Sequence, residues 1–200
     1  MNPLLYSAIP EHLLDYTILD LGCGSCESQL QSKNATKFKT ASQEGRYLGV
    51  DIEPGELLNT VRCDLFTLST QASFDLVLLI EVAEHIDHAR WPELFTLAKN
   101  MLAPTGTLIV SVPYREPVGS GMTDPNGVCP HVVFNIDAAR LREFLHGASV
   151  SYHGRRTIQR RTFRNLITIF IHILRRNQLI NPYRPIWILS TWKQEEGSTT

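Results

Sequence analysis

The chain has 200 residues, is 43% hydrophobic and 20% charged, and carries a formal net charge of -1 at pH 7. Those totals suit one soluble globular domain with enough chain to bury a core, and they give no global sign of a polyanion partner. The start lacks the basic, continuously apolar pattern of a secretion signal, and no apolar run approaches the roughly 18 to 20 residues that span a bilayer, so a cytoplasmic location is the expectation.

The first apolar run, TILDLG (17–22), ends in an acid and a glycine-rich turn, DLGCGSC. Short, branched and punctuated by Gly, it reads as a strand buried on both faces, as do YLGVDI (47–52), FDLVLLI (74–80) and TLIVSVP (107–113). Val61 to Cys63 reads as a further short strand. From Ala89 to Leu102, Trp91, Leu94, Phe95, Ala98, Met101 and Leu102 recur at helical spacing, and a Pro104 to Gly106 turn follows. Strand, helix and strand then make a βαβ unit of a doubly wound, Rossmann-like α/β sheet. Ala138 to Leu145 reads as a helix, and 148–153 and 186–192 as two late strands. A single domain over residues 1–194 with a loose tail at 195–200 is expected.

A glycine turn between strand and helix lets backbone approach a ligand closely, because glycine has no Cβ to block it. The dinucleotide fingerprint needs a third glycine, and after Gly22 and Gly24 that position is Glu27, whose carboxylate would repel a pyrophosphate. Two more acids close strands. Asp51 stands 29 residues after Gly22, where a carboxylate can accept from both hydroxyls of a ribose. Asp64 follows the short third strand, where it can accept from an adenine amine while Ile52 and Leu65 pack on the ring. A ligand with an amino group, a ribose and an adenine but no phosphate suits this set. Each acid also has a plainer reading as a turn or cap residue. Cys23 and Cys26 form an isolated C-x-x-C, and without a second pair they read as small fillers under the turn.

With DLGCGSC, GVDIEP, CDL and FDLVLLIEVAEHI in this order, residues 17–145 resemble the class I S-adenosylmethionine-dependent methyltransferases. The resemblance implies a seven-stranded, mostly parallel sheet with an antiparallel last strand, and S-adenosyl-L-methionine as cofactor. It implies that Asp20 orients the methionine amino end, that Gly22 and Gly24 pass under it, that Asp51 holds the ribose, and that Asp64 reads the adenine.

Methyl transfer from a sulfonium is an in-line displacement, so the protein must hold the acceptor in line and, where needed, take its proton. The residues leaving the fourth strand read EVAEHIDH (81–88), and the acid, Asn or Ser followed by two prolines and an aromatic that marks base-amino methyltransferases is absent there. Glu81, Glu84 and His85 resemble the ubiquinone-biosynthesis O-methyltransferase group, which implies Glu81 near the methyl and His85 or the later His131 as base. They also resemble the small-RNA 3′-terminal 2′-O-methyltransferases, which implies a divalent metal on Glu81, Glu84, His85 and His131. On a helix beginning near Glu81, positions 81, 84 and 85 would share one face. Against that reading, PHVVFNIDAARLREF keeps the His and Phe of the RNA enzymes but lacks their Asp, Glu and Trp. Asp87 reads as a turn residue and His88 as solvent-facing.

The stretch from Pro113 to Pro130, with three glycines, four prolines, Tyr114, Arg115 and Asp124, reads as an acceptor-site lid with Tyr114 facing the pocket. Beyond it, Arg155, Arg156, Arg160, Arg161, Arg164, Arg175, Arg176 and Arg184 occur with no acid among them, around the apolar FRNLITIFIHIL (163–174). A core helix with solvated arginine ends competes there with a surface for an anionic partner such as RNA or a phosphorylated substrate, and His172 reads as a core histidine. The functional expectation is methylation of an oxygen on a small-molecule or saccharide-type acceptor. The alternatives are metal-dependent 2′-O-methylation of an RNA end and a catalytically silent cofactor-binding scaffold.

Overall fold

The computed structural model describes residues 3–114, 131–133, 136–146, 148–153 and 187–193. The expected lid beyond Tyr114, with Arg115, Asp124 and Cys129, lies outside these residues. So do the arginine-rich stretch with His172 and the tail.

Among the described residues, seven strands form one sheet: β1 (Ile18–Leu21), β2 (Tyr47–Asp51), β3 (Thr60–Arg62), β4 (Phe74–Ile80), β5 (Leu102–Pro113), β6 (Ser149–His153) and β7 (Trp187–Lys193). Their order is β3-β2-β1-β4-β5-β7-β6. The first five run parallel, and β7 lies antiparallel between β5 and β6. This is the Rossmann-like sheet with an antiparallel last strand that the sequence implies.

The strands read as continuous apolar runs because both faces are covered. Alternate residues enter opposite layers: Leu19, Leu21, Val77, Leu79, Leu108 and Val110 pack on one side, and Ile18, Leu76, Leu78, Ile80 and Ile109 on the other. The helix α4 (Trp91–Asn100) buries Trp91, Leu94, Phe95 and Ala98 in the first layer. The second layer is closed by α1 (Pro3–Ala8), which supplies Leu5 and Tyr6, and α3 (Ala35–Gln43), which supplies Phe38 and Ala41. A short α2 (Glu27–Gln31) follows the glycine loop.

Two expectations change. The Pro104 to Gly106 turn is absorbed into β5, whose pairing with β4 shifts register between Phe74 and Leu76. No helix starts at Glu81. A single 3-10 turn covers Ala83–His85, and Glu81 precedes it with φ of 57°, so 81, 84 and 85 do not share a helical face. Among the described residues, no helix is long and apolar enough to cross a membrane.

Strand order reverses at β1, which pairs with β2 on one side and β4 on the other. In an open α/β sheet, the carboxyl ends at such a point frame the ligand crevice. Asp20, Asp51 and Glu81 are carried to that edge.

Candidate functional site

The loop after β1 takes the left-handed region at Gly22 (φ 77°), Gly24 (φ 54°) and Cys26 (φ 62°). At Gly22 a Cβ would also run into the Val82 side chain, so the turn after β4 rests directly on this loop. Cys26 adopts a conformation that glycine tolerates better, at a cost of about 1 to 2 kcal/mol. Its side chain is fully buried and reaches Tyr47 Oη at 3.6 Å. Cys23 is also fully buried and fills the space over Gly49. Both are free thiols, and contact with Cys26, then burial, pushes the Cys23 thiol up, away from thiolate chemistry.

Four of the loop amides are engaged within the protein. Those of Gly22 and Cys23 donate to the Val50 carbonyl (2.7 and 3.3 Å), and that of Cys26 donates to Cys23 (3.3 Å). The Gly24 amide donates to Asp51 Oδ2 at 2.9 Å. A phosphate cradle needs such amides pointing at the ligand. With these four amides engaged by the protein, the loop is a poor phosphate cradle, which fits a phosphate-free cofactor.

Asp51 sits half-exposed at the end of β2, and its Oδ1 accepts from the Glu53 amide at 2.9 Å. Each carboxylate oxygen keeps a further lone pair, and Ile52 beside it is 62% exposed. Asp64 is exposed and caps the 3-10 turn Leu65–Thr67, accepting from the Phe66 amide at 2.9 Å. Leu65 points into the core, whereas Ile52 lies open.

Asp20 is fully buried beneath the loop. Its Oδ2 accepts from Gln29 Nε2 (2.8 Å) and Tyr47 Oη (3.0 Å). Burial pushes this carboxyl up to about 6, against the pull of hydrogen bonds from Gln29, Tyr47 and Tyr6, and the charge on Asp51 adds to the rise. Asp20 is thus enclosed by protein groups.

At the end of β4, the Glu81 amide donates to Ser111 Oγ (3.1 Å) and to the Ser111 carbonyl (3.2 Å), fixing the strand exit against β5. The 3-10 turn that follows is held from two sides. Trp91 Nε1 donates to the carbonyls of Ala83 (3.0 Å) and Ile86 (3.2 Å), and the amides of Val132 and Val133 donate to the Glu84 carbonyl (2.8 and 3.1 Å). Those two bonds dock the 131–133 segment on the turn and bring His131 to His85, with ring centroids 4.7 Å apart and an interplanar angle of 76°. Glu84 is fully buried, and ligand atoms of Glu84, His85 and His131 lie within 4.8 Å of one another. Glu81 is not part of that cluster. Tyr114 is half-buried and packs against the first core layer.

Asp87 accepts from the Ala89 amide at 2.9 Å as a cap. His88 is only half-exposed, its ring lying 4.9 Å from Trp91 and 5.8 Å from Phe144, so an aromatic cluster replaces the expected solvent-facing position. Trp91, Gln29, Tyr6 and Tyr47 carry no motif in the sequence that marks them as neighbours of the site. Trp91 opens the amphipathic run and was readable as core, but nothing local to Gln29 separates it from a surface residue.

A protein-family model described as a methyltransferase domain matches residues 4–168. Among solved structures, the chain is similar to an S-adenosylmethionine-dependent methyltransferase from Archaeoglobus fulgidus, at 20% identity and a TM-score of 0.54, covering 96% of this chain and 94% of that one. It is also similar to the N-methyltransferase NodS from Bradyrhizobium japonicum in complex with S-adenosylhomocysteine (16% identity, TM-score 0.56, 97% and 84% covered). A third similar structure is the 1,6-didemethyltoxoflavin-N1-methyltransferase from Burkholderia thailandensis (16% identity, TM-score 0.56, 94% and 76% covered). At these identities the likeness carries the fold. No curated protein matches the chain by sequence.

Proposed function

The chain belongs to the methyltransferase-domain family and is a class I S-adenosylmethionine-dependent methyltransferase, and on that premise we propose that it methylates a hydroxyl oxygen of a small-molecule or saccharide-type acceptor. S-adenosylmethionine supplies a methyl group on a sulfonium. The protein must hold the acceptor oxygen in line with it and remove the oxygen's proton. We read residues 1–194 as one catalytic domain.

The observation that carries the reading is the pairing of His85 and His131 at the strand end, beside the buried Glu84. A hydroxyl needs its proton removed as the new bond forms. An imidazole is suited to receive it near neutral pH, and a carboxylate beside the pair stabilises the imidazolium that results. In this reading one of the two histidines is the base and the other orients it, while Glu81 lines the methyl-bearing end. Asp51 binds the ribose hydroxyls, and Asp64 accepts from the adenine amine. Gly22 and Gly24 let the loop run close under the methionine end, with Asp20 acting from below.

The same cluster favours a second reading. Two imidazoles and a carboxylate within 4.8 Å of one another are a donor set for a divalent cation, with the carboxylate from Glu84 and none from Glu81. Such an ion would engage a vicinal diol, as at the 3′ end of an RNA, and Arg155, Arg156, Arg160, Arg161, Arg164, Arg175 and Arg176 would serve its phosphates.

A radiolabelled methyl-transfer screen over sugars, phenols, amines and small RNAs, run with manganese and with chelator, separates the readings. Label on a hydroxyl acceptor that survives chelation is the expected result. Label on RNA only with manganese gives the site to the metal, and label confined to amines removes the oxygen assignment.

A further inference from the structure

We propose that Gln29 is a positioning residue for cofactor capture: it ties the loop carbonyl of Cys23 to the buried carboxylate of Asp20 and so keeps that carboxylate charged beneath the loop that faces the cofactor. The proposal rests on the cofactor assignment and is independent of the acceptor.

Gln29 and Asp20 are both fully buried. A buried primary amide is costly unless its polar atoms are used. Here Nε2 serves acceptors from three elements: Asp20 Oδ2 on β1 at 2.8 Å, Tyr6 Oη on α1 at 3.1 Å, and the Cys23 carbonyl of the glycine loop at 3.2 Å. One side chain thus joins the N-terminal helix, the strand-end acid and the loop backbone. Tyr47 on β2 completes the cage, donating to the same carboxylate oxygen at 3.0 Å.

The cage leaves a negative balance. Among the described residues, Asp20 Oδ1 and Gln29 Oε1 are buried with no hydrogen-bond partner. The titratable groups that face this point are Tyr6 from α1, Cys23 and Cys26 from the loop, and Asp51 with Tyr47 from β2, and Glu81 from the turn after β4 acts on Tyr6. None of these is a cation. A carboxylate held in such surroundings attracts positive charge placed above the loop, and a cofactor with a sulfonium and an ammonium supplies it.

Gln29 decides whether that carboxylate stays ionised. Its hydrogen bond is the largest influence opposing burial, which alone would favour the protonated acid. Without that donor, Asp20 takes up a proton at higher pH and the attraction is lost. Cofactor affinity in the wild type therefore falls as pH drops through about 6, and removing Gln29 moves the fall to higher pH.

Calorimetric titration of the full chain with S-adenosylmethionine between pH 5 and 8 tests this, alongside carbon-13 NMR titration of the Asp20 carboxyl in the cofactor-free protein. Gln29→Met, which keeps length and loses the donor, is expected to bind about tenfold more weakly at pH 7. Its acid midpoint and its Asp20 resonance move together to higher pH. Tyr47→Phe moves both in the same direction, and Asp20→Asn abolishes the acid midpoint. An unmoved midpoint with wild-type affinity in Gln29→Met overturns the proposal, as does equal weakening at every pH with an unmoved resonance. Should Gln29→Met fail to fold, Tyr47→Phe carries the same two readouts. Absence of methyl transfer to every acceptor leaves these results standing, whereas absence of cofactor binding by the wild type overturns the proposal.

Discussion

Beneath the loop after β1, four loop amides, Asp51, Gln29, Tyr47 and Asp20 are linked by hydrogen bonds into a lattice that needs no ligand to hold it, with Asp20 Oδ1 and Gln29 Oε1 left over as acceptors. At the end of β4, by contrast, Glu84 and His85 ride on a three-residue 3-10 turn, and His131 arrives on a segment docked by two amide bonds. One region is pre-organised by many bonds at the sheet edge. The other is assembled from distant stretches of chain by a few bonds and one indole. Preformed donors and acceptors reduce what binding must spend on ordering, which suits the first region to the cofactor role proposed for it. In the proposed function, chemistry on the acceptor falls to the second.

Substitutions should then separate cleanly between the two. The largest effect is expected at the histidines. His131→Ala or His85→Ala should lower the methyl-transfer rate by about 10² to 10³-fold if either is the base, while calorimetric cofactor affinity stays within about twofold. A parallel loss of cofactor affinity would erase the distinction between the regions.

The lattice has its own signature in the pH dependence of stability. The Asp20 carboxyl is raised in the folded protein to about 6 from a usual value of 3.8, so the folded state prefers the protonated acid. Its stabilising contribution is complete below the unfolded value and is lost as pH rises through the folded one. The cofactor-free protein should lose about 3 kcal/mol from this group between pH 3 and 7.5, from roughly two pKa units at 1.36 kcal/mol each. Urea denaturation of the wild type and Asp20→Asn across that range measures it, because every other titrating group cancels in the difference. A constant difference would return Asp20 to an ordinary hydrogen-bonded acid.

Asp51 belongs to the lattice and, in the proposed function, also meets the ligand. Asp51→Ala removes the acceptor for the Gly24 amide and, in the proposed role, the partner of the ribose hydroxyls. Cofactor affinity should fall by about 1 to 3 kcal/mol, with methyl transfer at saturating cofactor nearly unchanged. Unchanged affinity would leave Asp51 as a turn residue that only shapes the loop.

How much of this could be read in the sequence follows from the range of the forces involved. The strands β1, β2 and β4 declare themselves because both faces are apolar, and their acids stand out for the same reason. The helices α2 and α3 do not: ESQLQ has one apolar residue, and ATKFKTASQ buries only Phe38 and Ala41. Gln29 is not legible in the sequence because its side-chain partners Tyr6 and Asp20 stand 23 and 9 positions away and meet it only when α1 closes over the end of β1. Glu81 was assigned to a helix from its spacing. Pairing of β4 and β5 runs as far as Ile80 and Ser111, and the Glu81 amide is held on Ser111, which places the residue outside the turn.

The smallest effect is the most discriminating, at Asp64, where a cap and an adenine contact compete for one carboxylate. As a cap it holds the Phe66 amide, and Asp64→Ala should lower stability by about 1 kcal/mol through that loss alone. Asp64→Ser keeps an oxygen able to cap but is too short to reach beyond the turn. If the acid also accepts from the adenine amine, Ser should restore the stability lost in Ala without restoring cofactor affinity. If it is a cap only, Ser should restore stability while affinity never departs from wild type in either variant. Denaturation midpoints and calorimetric affinities of the two variants thus decide whether the lattice beneath the loop extends to the third strand or ends at Asp51.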